Sequence, residues 1–273
     1  GLACVSISWM VMSLLGCLPF VFSGAIPHYV DALFEIVSGF TTTGASILSD
    51  VEALSRGMLY WRSFSHWVGG MGVLVFLLAL SPSGKKNEGF TMHLFRAESP
   101  GPEVGKLVPK LRQTALYLYG TYMVLSALNF TFLMLGDMNW FEALCTMFGT
   151  AGTGGFGVKA DSLGSFSPYI QNVTTVFMLL FGVNFSCYYL ILLRQFRSVI
   201  RDEELRLYFC IVAISIALIT WNIAGMYDTL GEGIRHAAFQ VASIISTTGY
   251  STVDFDLWPT FSKGILTVLM ITG

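Results

Sequence analysis

The sequence predicts an all-α, polytopic membrane protein built from a repeated unit of membrane helix, short helix, glycine-containing loop and membrane helix. Three observations lead there. Apolar residues make up 54% of the chain and charged residues 12%, about half the charged share of roughly 25% in soluble proteins. Uncharged runs long enough to cross a bilayer recur along the chain. Three segments between those runs align with one another without gaps.

The runs come in order. Residues 1–30 carry no charge before Asp31, 63–84 is interrupted only by His66, and 113–136, 162–193 and 207–227 are uncharged. About 20 apolar residues make a spanning helix, so each is long enough. A sixth begins near Phe261 and stops at Gly273, too early to cross. The expectation is five complete spans and one truncated. The opening "GLACVSISWMVMSLLGCLPFVF" lacks a positively charged start and is not read as a signal peptide. Both ends read as fragment boundaries. Cys4, Cys17, Cys145, Cys187 and Cys210 lie in or beside apolar segments without metal or C-x-x-C spacing, as buried thiols do.

Charge orients the chain. Lys85, Lys86, Arg96, Lys106, Lys110 and Arg112, with Arg194, Arg197, Arg201 and Arg206, place ten of fifteen basic residues in loops 82–112 and 194–206. Basic loops stay cytoplasmic. The opposite connections carry Asp31, Glu35, Asp50, Glu52, Asp137, Glu142, Asp161, Asp228, Glu232, Asp254 and Asp256, eleven of seventeen acids. Read singly these are solvated charges; as a set they make a negative outer surface that concentrates cations.

On that outer side, "DALFEIVSGFTTTGAS" (31–46) aligns with "EALCTMFGTAGTGGFG" (142–157) and "HAAFQVASIISTTGYS" (236–251). Each is a stretch of small and apolar residues at helical spacing, a Thr/Gly triplet, and then an apolar helix. The second copy also contains Gly152, Gly154 and Gly157 in G-x-G-x-x-G spacing. A dinucleotide turn needs a preceding strand and an acid about twenty residues on; here a helix precedes and "TTVFMLL" follows. The match is coincidental. The repeat explains the glycines instead.

Segment 237–253 is uncharged, rich in Ser, Thr and Gly, and too short to span, so it reads as re-entrant. Irregular backbone at membrane depth must be buried in protein or line a watery cavity. Gly44, Gly155 and Gly249 permit positive φ or close approach, so that consecutive carbonyls can face one axis and replace a cation's hydration shell. The short helices would aim their negative ends at that cavity. Helix packing alone accounts for one Thr-Thr-Gly, but not for three at equivalent places.

At these residues the chain resembles the membrane subunit of Trk-type potassium-uptake systems, within the Trk/Ktr/HKT superfamily. "DALFEIVSGFTTTGAS", "RSFSHWVGGMG" (62–72), "LFRAESPGP" (94–102), "TGGFG" and "STTGYST" carry the likeness over nearly the whole chain, and "LFRAESPGP" points to the Trk-like branch. The resemblance implies membrane–pore helix–filter loop–membrane repeats around a pseudo-fourfold pore. The units would be 1–81, a cytoplasmic loop 82–110, 111–193, a cytoplasmic loop 194–206, and a truncated 207–273. It implies a potassium filter at Thr42, Thr43 and Gly44, at Thr153, Gly154 and Gly155, and at Thr247, Thr248 and Gly249. Glycine at the third place of each triplet goes with potassium rather than sodium. A fourth repeat and the gate loop are missing, so these residues alone should not conduct. The implied setting is the cell inner (plasma) membrane, in the lipid bilayer, as a homodimer with a cytosolic nucleotide-binding regulatory subunit and without nucleic acid or organic cofactor.

Other features have plainer readings. Arg62 and His66, one turn apart, read as an interfacial helix start held by Trp61 and Trp67; an intramembrane hydrolase is the alternative, though no nucleophile or metal motif accompanies them. Trp9, Tyr188, Tyr189, Trp221 and Trp258 read as interface aromatics. The stretch 194–206 is a solvated turn, or through the resemblance a contact for the regulatory subunit. Three functions stay open: potassium transport, with a sodium-permeable relative as its variant; a non-transporting scaffold or sensor; and an enzyme using His66. Serine at Gly44, Gly155 or Gly249 should act alike on ion selectivity, and at Gly152 or Gly157 less.

Overall fold

The computed structural model describes residues 2–72 and 111–273. The basic loop 82–110, "LFRAESPGP" and the second half of the run 63–84 lie outside the described residues. Within them every regular element is helical. In chain order these are α1 (Leu2–Gly16), α2 (Leu18–Phe22), α3 (Tyr29–Phe40), α4 (Arg56–Gly70), α5 (Leu111–Met134), α6 (Trp140–Ala151) and α7 (Pro168–Gly182). There follow α8 (Phe185–Leu192), α9 (Phe196–Ile200), α10 (Glu203–Ile223), α11 (Leu230–Ile245), a 3-10 turn (Phe255–Leu257) and α12 (Thr260–Thr272).

The first apolar run folds as α1 and α2, parted at Cys17 because Pro19 sits in the first turn of α2 and cannot donate to the preceding helix. Among the described residues, α5 from Ala115 (20 residues) and α10 (21 residues) are long and apolar enough to cross a bilayer unaided. Ser6–Phe22 and Thr260–Thr272 are apolar but shorter. The run 162–193 departs from expectation. It enters helix only at Pro168, with the Ser167 hydroxyl accepting from the Ile170 N–H, and it bends by 86° between α7 and α8. The break is local chemistry: Val183 is extended, and the Asn184 side chain accepts from the Ser186 N–H at 3.0 Å to start a new helix.

The short helices α3, α6 and α11 each carry an acid at the third helical position: Asp31, Glu142 and Glu232. A carboxylate there offsets the positive end of the helix dipole. Asn139 and Glu142 form a full capping box, and the Thr229 hydroxyl accepts from the Glu232 N–H at 3.2 Å. Several of the acids read as outward-facing therefore serve helix ends.

Packing links each unit to the next: α4 lies against α6, and α7 against α11. The largest core gathers Tyr122, Phe148, Phe177, Met178 and Phe181 with Phe239 and Tyr250 from the following unit. Outer faces stay apolar, with Met10, Val124, Ile214 and Trp221 exposed, as befits helices whose surroundings are hydrocarbon. Trp258 is not at an interface but buried, its indole donating to Tyr227 Oη at 3.0 Å. Cys17, Cys145 and Cys187 are buried as expected, whereas Cys210 lies exposed on α10.

Candidate ion-binding loops

The three aligned segments fold alike. Each of α3, α6 and α11 stops at the same two hydrogen bonds. Thr42 N–H donates to the Gly39 carbonyl and Thr43 N–H to Ser38, at 3.1 and 2.9 Å. The pairs are Thr153 to Thr150 and Gly154 to Gly149 in the second copy, and Thr247 to Ile244 and Thr248 to Ser243 in the third. This is the Schellman closure, which requires a left-handed residue just past the helix. Glycine is the usual choice; here threonine supplies it. Thr42, Thr153 and Thr247 have φ of 54°, 50° and 58°. A β-branched residue is strained there, so the same strain is built in three times. Nothing in the sequence marked these threonines as left-handed.

Two residues on, Gly44, Gly155 and Gly249 are left-handed again, at 75°, 78° and 85°, as expected. The residues between them, Thr43, Gly154 and Thr248, keep negative φ. Left-handed residues on either side of one with negative φ give the three loops the same backbone path. Among the described residues, no donor reaches the carbonyl of any of the nine triplet residues.

The loops meet in sequence. A Cβ on Gly44 would collide with the Gly154 carbonyl oxygen, and one on Gly155 with that of Thr248. The same atom on Gly249 meets nothing within 4 Å. Within this chain the third-position glycines differ in surroundings: two are packed against the next loop and one is open. Gly152 is no neutral neighbour either, since its Cβ would strike the His66 backbone. The side chain of Tyr250 ties the third loop to the second, donating to the carbonyls of Phe156 and Thr146 at 3.2 and 3.3 Å. The Ser243 hydroxyl in turn donates to the Tyr250 carbonyl at 2.6 Å.

Arg62 and His66 are buried, not interfacial. Arg62 Nε lies 2.5 Å from Glu35 Oε1, and Glu35 is fully buried behind the first loop rather than on the outer surface. Its carboxylate also accepts from Ser46 Oγ and the Ile47 N–H. Arg62 Nη1 donates to the Gly157 carbonyl at 3.1 Å, and its guanidinium lies 3.5 Å from the centroid of the Phe156 ring. The His66 ring stacks on Phe156 at 4.0 Å. The signal was present in the sequence: Glu35 and Arg62 each lie in the interior of a helix, away from the first turn where Asp31 and Arg56 sit. Among the described residues, no group of three or more His, Cys, Asp and Glu is placed to hold a metal.

A family model described as cation transport protein (TrkH) matches residues 1–273. The Trk system potassium uptake protein TrkH of Halomonas elongata is 35% identical over 282 residues, covering 100% of this chain and 57% of that protein. The Trk system potassium uptake protein TrkG of Escherichia coli K12 is 35% identical over 272 residues, covering 95% and 54%. The crystal structure of the potassium transporter TrkH from Vibrio parahaemolyticus superposes with a TM-score of 0.81 at 28% identity, over 98% of this chain and 55% of that one. The chain spans about half the length of the relatives it matches. The repeated all-helical architecture, the glycine loops and these likenesses agree, and the chain belongs to the TrkH family of cation transport proteins.

Proposed function

We propose that the loops at 42–44, 153–155 and 247–249 are three quarters of a potassium filter, and that the full-length gene product takes up potassium across the cell inner membrane. One observation carries this reading: nine free carbonyls on three loops that share one alternating-handed backbone and follow one another in contact. Carbonyl rings replace the hydration shell of a monovalent cation, which must shed water to pass. The helix ends behind them add partial negative charge. The open side at Gly249 is where a fourth loop completes the ring. The units 1–81, 82–110, 111–193, 194–206 and 207–273 belong to the same reading. So do cytoplasmic placement of the basic loops, a homodimer in the bilayer and a nucleotide-binding regulatory subunit on the cytosolic face. The names of the relatives support potassium as the cargo.

The test is growth of a potassium-uptake-deficient bacterium on limiting potassium, with rubidium flux measured alongside. The full-length gene product restores both under this proposal. Normal expression without flux would instead favour a scaffold that retains the pore architecture.

A further inference from the structure

The buried ion pair behind the first loop does more than hold that loop. We propose that Glu35 and Arg62 form a latch that sets the position of the second loop against the first, making both positioning residues for ion selectivity; this rests on the filter reading above. Glu35 gathers the chain as it leaves the first triplet, accepting from Ser46 Oγ at 3.0 and 3.1 Å and from the Ile47 N–H at 2.9 Å. Arg62 carries that anchorage across to the next repeat, through the Gly157 carbonyl and the face of Phe156, the residue directly after Gly155. The guanidinium therefore holds both loops at once.

Two arguments point to position rather than stability. A buried ion pair is weak evidence for stability, because desolvation offsets most of the attraction, whereas removing one partner leaves a stranded charge. And the pair is confined to one of three equivalent places. In the gap-free alignment the residues matching Glu35 are Thr146 and Gln240, both buried and both neutral. Those loops close without a carboxylate. The second loop is instead gripped from both neighbours, by Arg62 on one side and by the Tyr250 hydroxyl at the Phe156 carbonyl on the other.

Arg62→Lys, Phe156→Leu and the exchange Glu35→Arg with Arg62→Glu separate the latch from a plain charge pair. All are read in the full-length gene product, at matched expression, as the rubidium-to-sodium uptake ratio, with Gly44→Ala alongside. Lysine keeps the charge but has no planar fork to reach Glu35 and Gly157 together, so the ratio should fall about tenfold. Phe156→Leu leaves the ion pair intact and removes the cation–π surface, and a fall of about threefold is expected. The exchange keeps the pair but moves the guanidinium to α3, away from Gly157, and should not restore selectivity. A normal ratio in Arg62→Lys and Phe156→Leu, or rescue by the exchange, overturns the latch while a loss in Gly44→Ala leaves the filter standing. A normal ratio in Gly44→Ala as well overturns the filter assignment and the latch with it. Where the arginine variants fail to express, Phe156→Leu decides alone.

Discussion

Replacing Gly44 with alanine adds one carbon at a close approach between two loops. The backbone there is left-handed, with φ of 75°, and a Cβ in that conformation costs about 1–2 kcal/mol. The new carbon also lands on the Gly154 carbonyl oxygen, and overpacking of this kind costs roughly 1–3 kcal/mol. The strain sums to roughly 2–5 kcal/mol. Selectivity is a difference between the potassium-loaded and sodium-loaded states, so only part of that strain counts. Tenfold discrimination needs about 1.4 kcal/mol. Less than the full strain therefore suffices, and the potassium-to-sodium uptake ratio should fall at least about tenfold. The control is Gly157→Ala, whose Cβ would meet only Lys159 and Ser162 backbone atoms at 3.5 and 3.6 Å, ordinary contact distances. Uptake of both ions is measured at matched expression in the full-length gene product. A changed ratio in Gly157→Ala with an unchanged one in Gly44→Ala would refute the reasoning.

Other expectations follow from single contacts. Thr153→Gly relieves a left-handed threonine that has φ of 50°; against the extra entropy of glycine the net gain is about 1 kcal/mol, read as a higher melting temperature. Asn139→Ala removes the capping box of α6 and should lower stability by about 1 kcal/mol in the same assay. Tyr250→Phe deletes the donor to the Phe156 carbonyl, at about 1 kcal/mol, and should loosen selectivity less than Gly44→Ala does. For orientation, a single cysteine at Arg197 should react with an impermeant reagent only from the cytoplasmic side, and one at Asp254 only from outside; labelling of the Arg197 site in intact cells would reverse the topology.

Two of the spans, α5 and α10, the repeat and the third-position glycines were legible in the sequence because each rests on a pattern: length of uncharged run, self-similarity, and the one residue type at ease with positive φ. The left-handed threonines were not, because threonine ordinarily avoids that region and only the closure of α3, α6 and α11 enforces it. Arg62 and Glu35 were read as interfacial and solvated, since charge predicts exposure until a partner is known. Separated by 27 residues in sequence, they become a pair only when α3 packs on α4. The bend after Gly182 was hidden for a similar reason, since a run of apolar residues records burial in lipid but not whether the helix within it is continuous.

The order of contacts around the loops also bears on how the molecule is made. α4 meets α6, α7 meets α11, Gly44 meets Gly154, and Gly155 meets Thr248. Each of these interfaces joins a unit to the one synthesised next. A unit leaving the insertion machinery thus finds its docking surface already in the bilayer, and none of these contacts waits for a distant segment. Close sequence neighbours also pair with less loop-closure entropy than remote ones. The order of contacts therefore permits assembly in chain order, each aligned loop docking on the one before it.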